Sequence, residues 1–513
     1  MDQQDLLAEL HRRSDGAIVA FKPDQWRVID ALITGTGPVL LVQSTGWGKS
    51  LVYFAATLAL RRAGAGPTLL ISPLLALIRD QVRAASRLGL AAESLTGENP
   101  EHWERITGAL ARDAVDLLLV SPERLASDAF ASSRLAAVLG RVALFVIDEA
   151  HCISDWGHDF RPDYQRIHRL LATRLPPGVA LLATTATANQ RVAADVAVQL
   201  GAATRIVRGP LSRGSLRLQA IALPSRADRY AWLADTLPVL AGSGIVYALT
   251  TREADRLAGW LQRCGLAVAS YHARIGDGCG LDAAEHRRRR EDDLLSNRLK
   301  ALVATTALGL GFDKPDLAFV IHHQRPPSIL QYYQQVGRAG RALESAWGVL
   351  LAGAEDEGIV GSFIANAFPL PADIDAVLAA LDAAAARGLT LPELAAATDL
   401  PDDEVERVLR LLAAADPPPV LRAGSRWSPG GVPYRPDPAR IAELTRLRRQ
   451  EWRRMKAYGQ SWGCLMRFLV RELGDHEARR CGRCANCLGR PLLATRPRRA
   501  GVTAARDWLE TPA

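Results

Sequence analysis

Lys49 and Ser50 close QSTGWGKS (residues 43–50), a glycine-spaced run set between an apolar stretch and a helical pattern. That context marks a phosphate-binding loop. Gly46 and Gly48 let backbone N–H groups approach the β- and γ-phosphates, Lys49 supplies a point charge, and Ser50 offers a hydroxyl to Mg²⁺. The run begins with Gln43 where the strict pattern has glycine, and Trp47 sits between the two glycines. About a hundred residues later, Asp148, Glu149, Ala150 and His151 end the apolar run ALFVID. An acid at a strand end beside such a loop holds Mg²⁺, usually through water, and the next acid orients and deprotonates an attacking water. QQVGRAGR (334–341) adds Arg338 and Arg341, spaced to face a cleft from a second domain and to meet the charge that spreads over a phosphoryl group in flight. The chemistry these residues suit is Mg²⁺-assisted ATP hydrolysis.

A different chemistry stands near the end of the sequence. Cys464, Cys481, Cys484 and Cys487 supply four thiolates, three closely spaced and one distant. The set suits tetrahedral Zn²⁺ with no open position, hence a structural metal. An iron–sulfur cluster is the alternative reading of four cysteines. Cys152, Cys264 and Cys279 are isolated and read as ordinary thiols.

These residues need scaffolds. PVLLVQ, PTLLIS, VDLLLVS, ALFVID and VALLATT are short apolar runs separated by helical patterns, as in a buried parallel sheet. A second block repeats the alternation: SGIVYAL, LAVASYH, KALVATT, AFVIHH and WGVLLAG. The expected class is therefore α/β, with two tandem doubly wound domains over 1–210 and 211–366 and a cleft between them. Residues 367–436 read as helix, turn, helix and two short extended runs, a winged-helix-like unit; a plain helical spacer is the competing reading. A basic helix from Pro438 leads into the cysteines, giving a zinc-binding helical module over 437–492. Residues 493–513, Pro/Arg-rich at first, read as a tail or linker, or as the start of a further domain or partner contact.

The chain has 513 residues, 48% of them hydrophobic, with a formal charge of +8 and pI near 9.3. Between Arg440 and Arg499 sixteen Lys and Arg face five acids, a surplus suited to a polyanion, though a solvated helical face reads the same way. The N-terminus lacks a secretory apolar core, no apolar run is long enough to span a bilayer, and the cysteines do not form a disulfide framework. A cytoplasmic location of bacterial, nucleoid-associated type is expected, with no membrane partner.

In order, FKPDQ (21–25), QSTGWGKS, SPLLALIRDQ (72–81), SPERL (121–125), DEAHCISDWGHDFRPDY (148–164), TTATAN (184–189), GIVYALTTREAD (244–255), YHARI (271–275), VATTALGLGFDKP (303–315) and QYYQQVGRAGR (331–341) resemble the motifs of superfamily 2 helicases, and of the RecQ family within them. The resemblance implies RecA-like domains and a 3′→5′ ATP-dependent DNA helicase acting in repair or recombination, on single strands and single/double-strand junctions. It places Lys22, Gln25, Thr45 and Gln334 with the nucleotide residues. Trp156, His158, Phe160 and Arg161, with His151, become the loop that couples DNA to hydrolysis. Ser72, Pro73, Arg124, Thr250, Arg252, His272 and Thr305 become DNA contacts. Lys22 stands where relatives carry Arg, Ile18 stands near where they carry an aromatic that stacks on adenine, and Asp155 replaces a Gln. The winged-helix-like segment precedes the cysteines, an order similar to the RqlH-type branch. Two other readings remain open: a DNA-binding or annealing module whose ATP cycle only regulates its grip, and an RNA helicase.

Overall fold

The computed structural model describes residues 2–511 apart from 74, 98, 126–134, 154–174, 177, 277–282, 310–311 and 416. Its first sheet contains β1 (Val39–Val42), β2 (Thr68–Ile71), β3 (Ala92–Leu95), β4 (Leu117–Val120), β5 (Leu144–Ile147), β6 (Ala180–Thr185) and β7 (Arg205–Arg208) in the order β3-β4-β2-β5-β6-β1-β7, all parallel. Alternate residues serve opposite faces. Leu40 and Val42 join one apolar core and Val39 and Leu41 another; Phe145 and Ile147 part from Leu144 and Val146 in the same way. Both faces are thus covered by helices, which is why these runs are continuously apolar rather than alternating with polar residues.

The order has a consequence for chemistry. β1 and β5 both flank β6, so the segments leaving their C-terminal ends emerge on one edge, about two strand spacings apart. QSTGWGKS leaves β1 and the DEAH tetrad leaves β5. Thr184 and Thr185, at the end of β6, lie between them.

The second sheet repeats the plan with β8 (Leu216–Ala222), β9 (Gly244–Tyr247), β10 (Val268–Tyr271), β11 (Ala301–Ala304), β12 (Phe319–His322) and β13 (Ala346–Ala352) in the order β10-β11-β9-β12-β13-β8, again parallel. One apolar core is continuous from the first lobe through the second into the C-terminal module, joining Val192, Leu211, Tyr333, Tyr458 and Leu465.

Residues 371–429 have a core of their own, built on Val377, Leu381, Leu394, Val408 and Leu412. Helices Pro371–Ala384, Leu391–Thr398 and Asp402–Ala414 pack beside a small antiparallel sheet of β14 (Leu389–Thr390), β15 (Val420–Ala423) and β16 (Arg426–Pro429). A capping box starts the second helix: Thr390 Oγ1 accepts from the Glu393 N–H and Glu393 accepts from the Thr390 N–H.

The long helix Pro438–Gly459 and helix Leu465–Glu472 pack on helix Ile329–Val336 of the second lobe. Tyr458 meets Tyr332 with ring centroids 5.1 Å apart, and Tyr332 meets His322 at 4.6 Å.

Of residues 493–513, expected as a tail or linker, 493–511 instead join the second lobe. Gln219 of β8 accepts from the Leu492 and Leu493 N–H groups and donates to Leu493 O at 3.1 Å. Trp232 donates to Ala494 O, helix Arg499–Glu510 lies on helix Arg226–Thr236, and Trp508 donates to Arg256 O. A Cβ on Gly259 would come within 3.2 Å of the Trp508 ring, so the contact is close. The physical reason is an apolar stripe, Val502, Ala505, Trp508 and Leu509, at helical spacing. No helix among the described residues is long and apolar enough to cross a membrane.

Candidate nucleotide and metal sites

The loop after β1 closes into helix Lys49–Arg62 through two left-handed glycines, Gly46 (φ 75°) and Gly48 (φ 98°). A Cβ at Gly48 would fall 2.9 Å from the Gln25 amide, so a side chain there would be strained by torsion and would displace that amide. Lys49 is half-buried, and its ammonium donates to the carbonyls of Gln43 (3.1 Å) and Ser44 (3.4 Å). Burial pulls its pKa down, while Glu149 and Asp148 oppose the shift. Gln25 accepts from the Lys22 N–H and donates to Gly48 O at 3.2 Å. Lys22 donates to Trp47 O at 2.6 Å and lies over the Trp47 ring. Lys22 and Gln25, expected among the nucleotide residues, thus brace the phosphate loop itself.

Asp148 is buried and receives hydrogen bonds from Gln81 (2.8 Å), Thr184 (2.5 Å) and the Glu149 N–H (3.0 Å). Burial and the adjacent Glu149 push its carboxyl above the ordinary range. Glu149 has the left-handed backbone (φ 49°) and stands 3.3 Å from the His151 imidazole. Burial would raise Glu149, but the hydrogen bond and charge of His151, backed by Lys49 and Arg338, hold it low and ionised. The Asp148 carboxylate after β5 and the Ser50 hydroxyl at the helix start are oxygen donors of the kind that would hold Mg²⁺.

The second lobe reaches into this site. Arg341 pairs with Asp313 at 2.8 Å, and its side chain would lie 3.4 Å from a Cβ on Gly46. Arg338 donates to Phe312 O at 2.9 Å; its Nε, buried, has no hydrogen-bond acceptor among the described residues. Thr45 donates to Gly337 O across the cleft at 3.1 Å. Gln334 donates to Thr187 at 2.9 Å and approaches the His151 ring at 3.3 Å. Arg213, in the segment between the lobes, ties both together: it donates to Thr45 O (3.0 Å) and Gly337 O (2.7 Å) and to the carbonyls of Ala339 and Gly340.

Farther along, the sulfurs of Cys464, Cys481, Cys484 and Cys487 all lie within 4.8 Å of one another. Tetrahedral zinc with bonds of about 2.3 Å sets its sulfurs ~3.8 Å apart. Backbone N–H groups of Arg467 (3.4 Å) and Cys481 (3.2 Å) point at the Cys464 sulfur, and those of Arg483 and Cys484 (both 3.4 Å) at the Cys481 sulfur. Such donors favour thiolates, so the cluster fits a metal.

Two family models match this chain: DEAD/DEAH box helicase over residues 22–196 and helicase conserved C-terminal domain over 232–343. Curated relatives include a putative ATP-dependent DNA helicase Q1 of Caenorhabditis briggsae, 36% identical over 63% of this chain and 51% of its own length. The RecQ-like DNA helicase BLM of Xenopus laevis is 37% identical over 64% of this chain and 24% of its own length. This chain carries both helicase domains and is similar to the RecQ-like DNA helicases. It spans about half or less of the length of these curated RecQ-like relatives. Among solved structures, Mycobacterium smegmatis helicase Lhr bound to single-stranded DNA and AMP-PNP has the same fold, with TM-score 0.55 and 24% identity, covering 85% of this chain and 61% of that one.

The other expected residues of this RecQ-like chain are scattered through its two lobes. Ser72 is fully buried and Arg124 lies over the Trp103 ring at 5.0 Å. Thr250 caps helix Thr251–Arg263 by accepting from the Glu253 N–H, and Arg252 is exposed on that helix. His272 pairs with Asp255 at 2.9 Å, and Thr305 accepts from the Ala307 N–H. Trp156, His158, Phe160 and Arg161 lie outside the described residues. Residues the sequence did not single out are Gln81, Thr184 and Arg213. The first two sit inside family-like strings, which was signal enough; Arg213 sits in no motif.

Proposed function

We propose that this protein is an ATP-dependent DNA helicase that moves 3′→5′ on single-stranded DNA and opens duplex at single/double-strand junctions, in repair or recombination. The observation that carries the reading is the nucleotide site split across two lobes. Lys49, Asp148 and Glu149 come from one, and Arg338 and Arg341 from the other. ATP with Mg²⁺ supplies the phosphoryl group and its charge when bound. Lys49 leaves its carbonyl acceptors for the phosphates. Glu149, kept ionised, can orient a water and take its proton. The arginines draw the second lobe onto the spreading charge, and loss of that charge loosens the Thr45–Gly337 and Gln334–Thr187 contacts. The polarity rests on family resemblance.

The four cysteines support a structural zinc that holds the C-terminal module together, and residues 367–436 support a winged-helix unit meeting duplex at a fork. The purified protein is expected to be colourless and to bind about one zinc per chain. Chelation is expected to lower the melting temperature sharply, since structural zinc binds with roughly 10–16 kcal/mol. Metal analysis and a thermal melt check this; a brown, iron-containing protein would replace zinc with a cluster. The functional test is ATP turnover with and without single-stranded DNA or RNA, paired with unwinding of 3′- and 5′-tailed duplexes. Turnover unchanged by DNA would sink the helicase reading.

A further inference from the structure

Trp462 is the most exposed large apolar side chain among the described residues, at 96%. Tryptophan is usually largely buried and brings roughly 150–250 Å² to a core, so folding gains nothing from this one. Its loop is nevertheless firmly held. Asn486, between Cys484 and Cys487, donates to Ser461 O at 2.5 Å and to Gly463 O at 2.8 Å, bracketing Trp462 on both sides. Ser461 Oγ accepts from the Gly463 N–H at 3.1 Å. The cysteine cluster therefore fixes the loop, through Asn486, with the indole in solvent.

The module that carries it is basic. Trp462 follows the helix Pro438–Gly459, and Arg471, Arg479 and Arg480 are exposed on the same module. An aromatic face held rigid on a basic module is the pair of features by which proteins grip a strand without reading its sequence: charge tracks the phosphates and the ring stacks on a base. We infer that Trp462 is a stacking platform for an unpaired base of the DNA strand, positioned by the metal knuckle. The inference rests on the proposed action on DNA. Arginines alone would suit any polyanion; the fixed, upright indole selects one whose bases are free to stack. Preordering matters because a loop already bracketed by Asn486 loses little entropy on binding.

The test uses the full chain with its metal. Wild type, Trp462→Ala and Trp462→Phe are titrated against a single-stranded oligonucleotide carrying a fluorescent base analogue, 2-aminopurine, at several salt concentrations. One stacked base contributes about 1–3 kcal/mol, so Trp462→Ala is expected to weaken binding roughly 5- to 150-fold and to relieve quenching of the analogue. Its salt dependence should stay parallel to wild type, because no phosphate contact is removed. Trp462→Phe should recover most of the affinity. Equal affinity for wild type and Trp462→Ala would overturn the inference and leave the helicase reading intact. So would a loss accompanied by a shallower salt slope. A wild type that binds no oligonucleotide would overturn both.

Discussion

Lys49→Ala is expected to lower the DNA-stimulated ATPase by on the order of 100- to 1,000-fold while oligonucleotide binding stays within a few-fold of wild type. The argument is local. Lys49 opens the helix that follows the phosphate loop, and Asp148 and Glu149 sit close enough to support its charge. Without it, the β- and γ-phosphates meet two carboxylates and no compensating ammonium from their own lobe. Among the described residues Lys49 hydrogen-bonds to Gln43 and Ser44, not to any expected DNA contact, so the strand grip should survive. A steady-state ATPase assay beside an anisotropy titration checks both halves. Normal turnover by the variant would remove the site from its assigned place.

Arg338→Ala is expected to reduce ATP turnover on the order of 1,000-fold or more, with nucleotide affinity changed only slightly. Its melting temperature should be unchanged or higher. In the structure the buried guanidinium has Nη1 on Phe312 O and an Nε with no hydrogen-bond acceptor among the described residues. A buried charged donor left without a partner costs about 1–3 kcal/mol, so removing it relieves the protein at rest. At rest its charge is met only in part, by the Glu149 carboxylate, and it is met fully as the phosphoryl group transfers. Single-turnover hydrolysis, fluorescent-nucleotide binding and a thermal melt separate the outcomes. A melting temperature that fell in step with activity would make Arg338 a structural residue instead.

The parts legible in the sequence were those with local causes. A four-residue apolar strand buried on both faces announces itself, as at β1, β2, β4 and β5. So do two glycines and a lysine at a strand-to-helix turn. Arg213 could not be read: its meaning comes from reaching Thr45 and Gly337, placed beside it only by the packing of two lobes. Lys22 and Gln25 were legible as nucleotide residues by resemblance, but not as braces on Gly48 and Trp47. Residues 499–510 were misjudged for a different reason. The Pro/Arg-rich approach at 495–499 masked the stripe of Val502, Ala505, Trp508 and Leu509, whose helical spacing was there to count.

The docking of that last helix sets a timetable for synthesis. Trp508 and its acceptor Arg256 lie 252 positions apart, so the surface around Trp232 and Trp260 is made long before the segment that covers it. At ordinary elongation rates the gap lasts roughly 13–50 s. Through that interval the nascent second lobe presents tryptophans to water and to its neighbours on the polysome, and a chaperone that shields aromatic surface would act most usefully there.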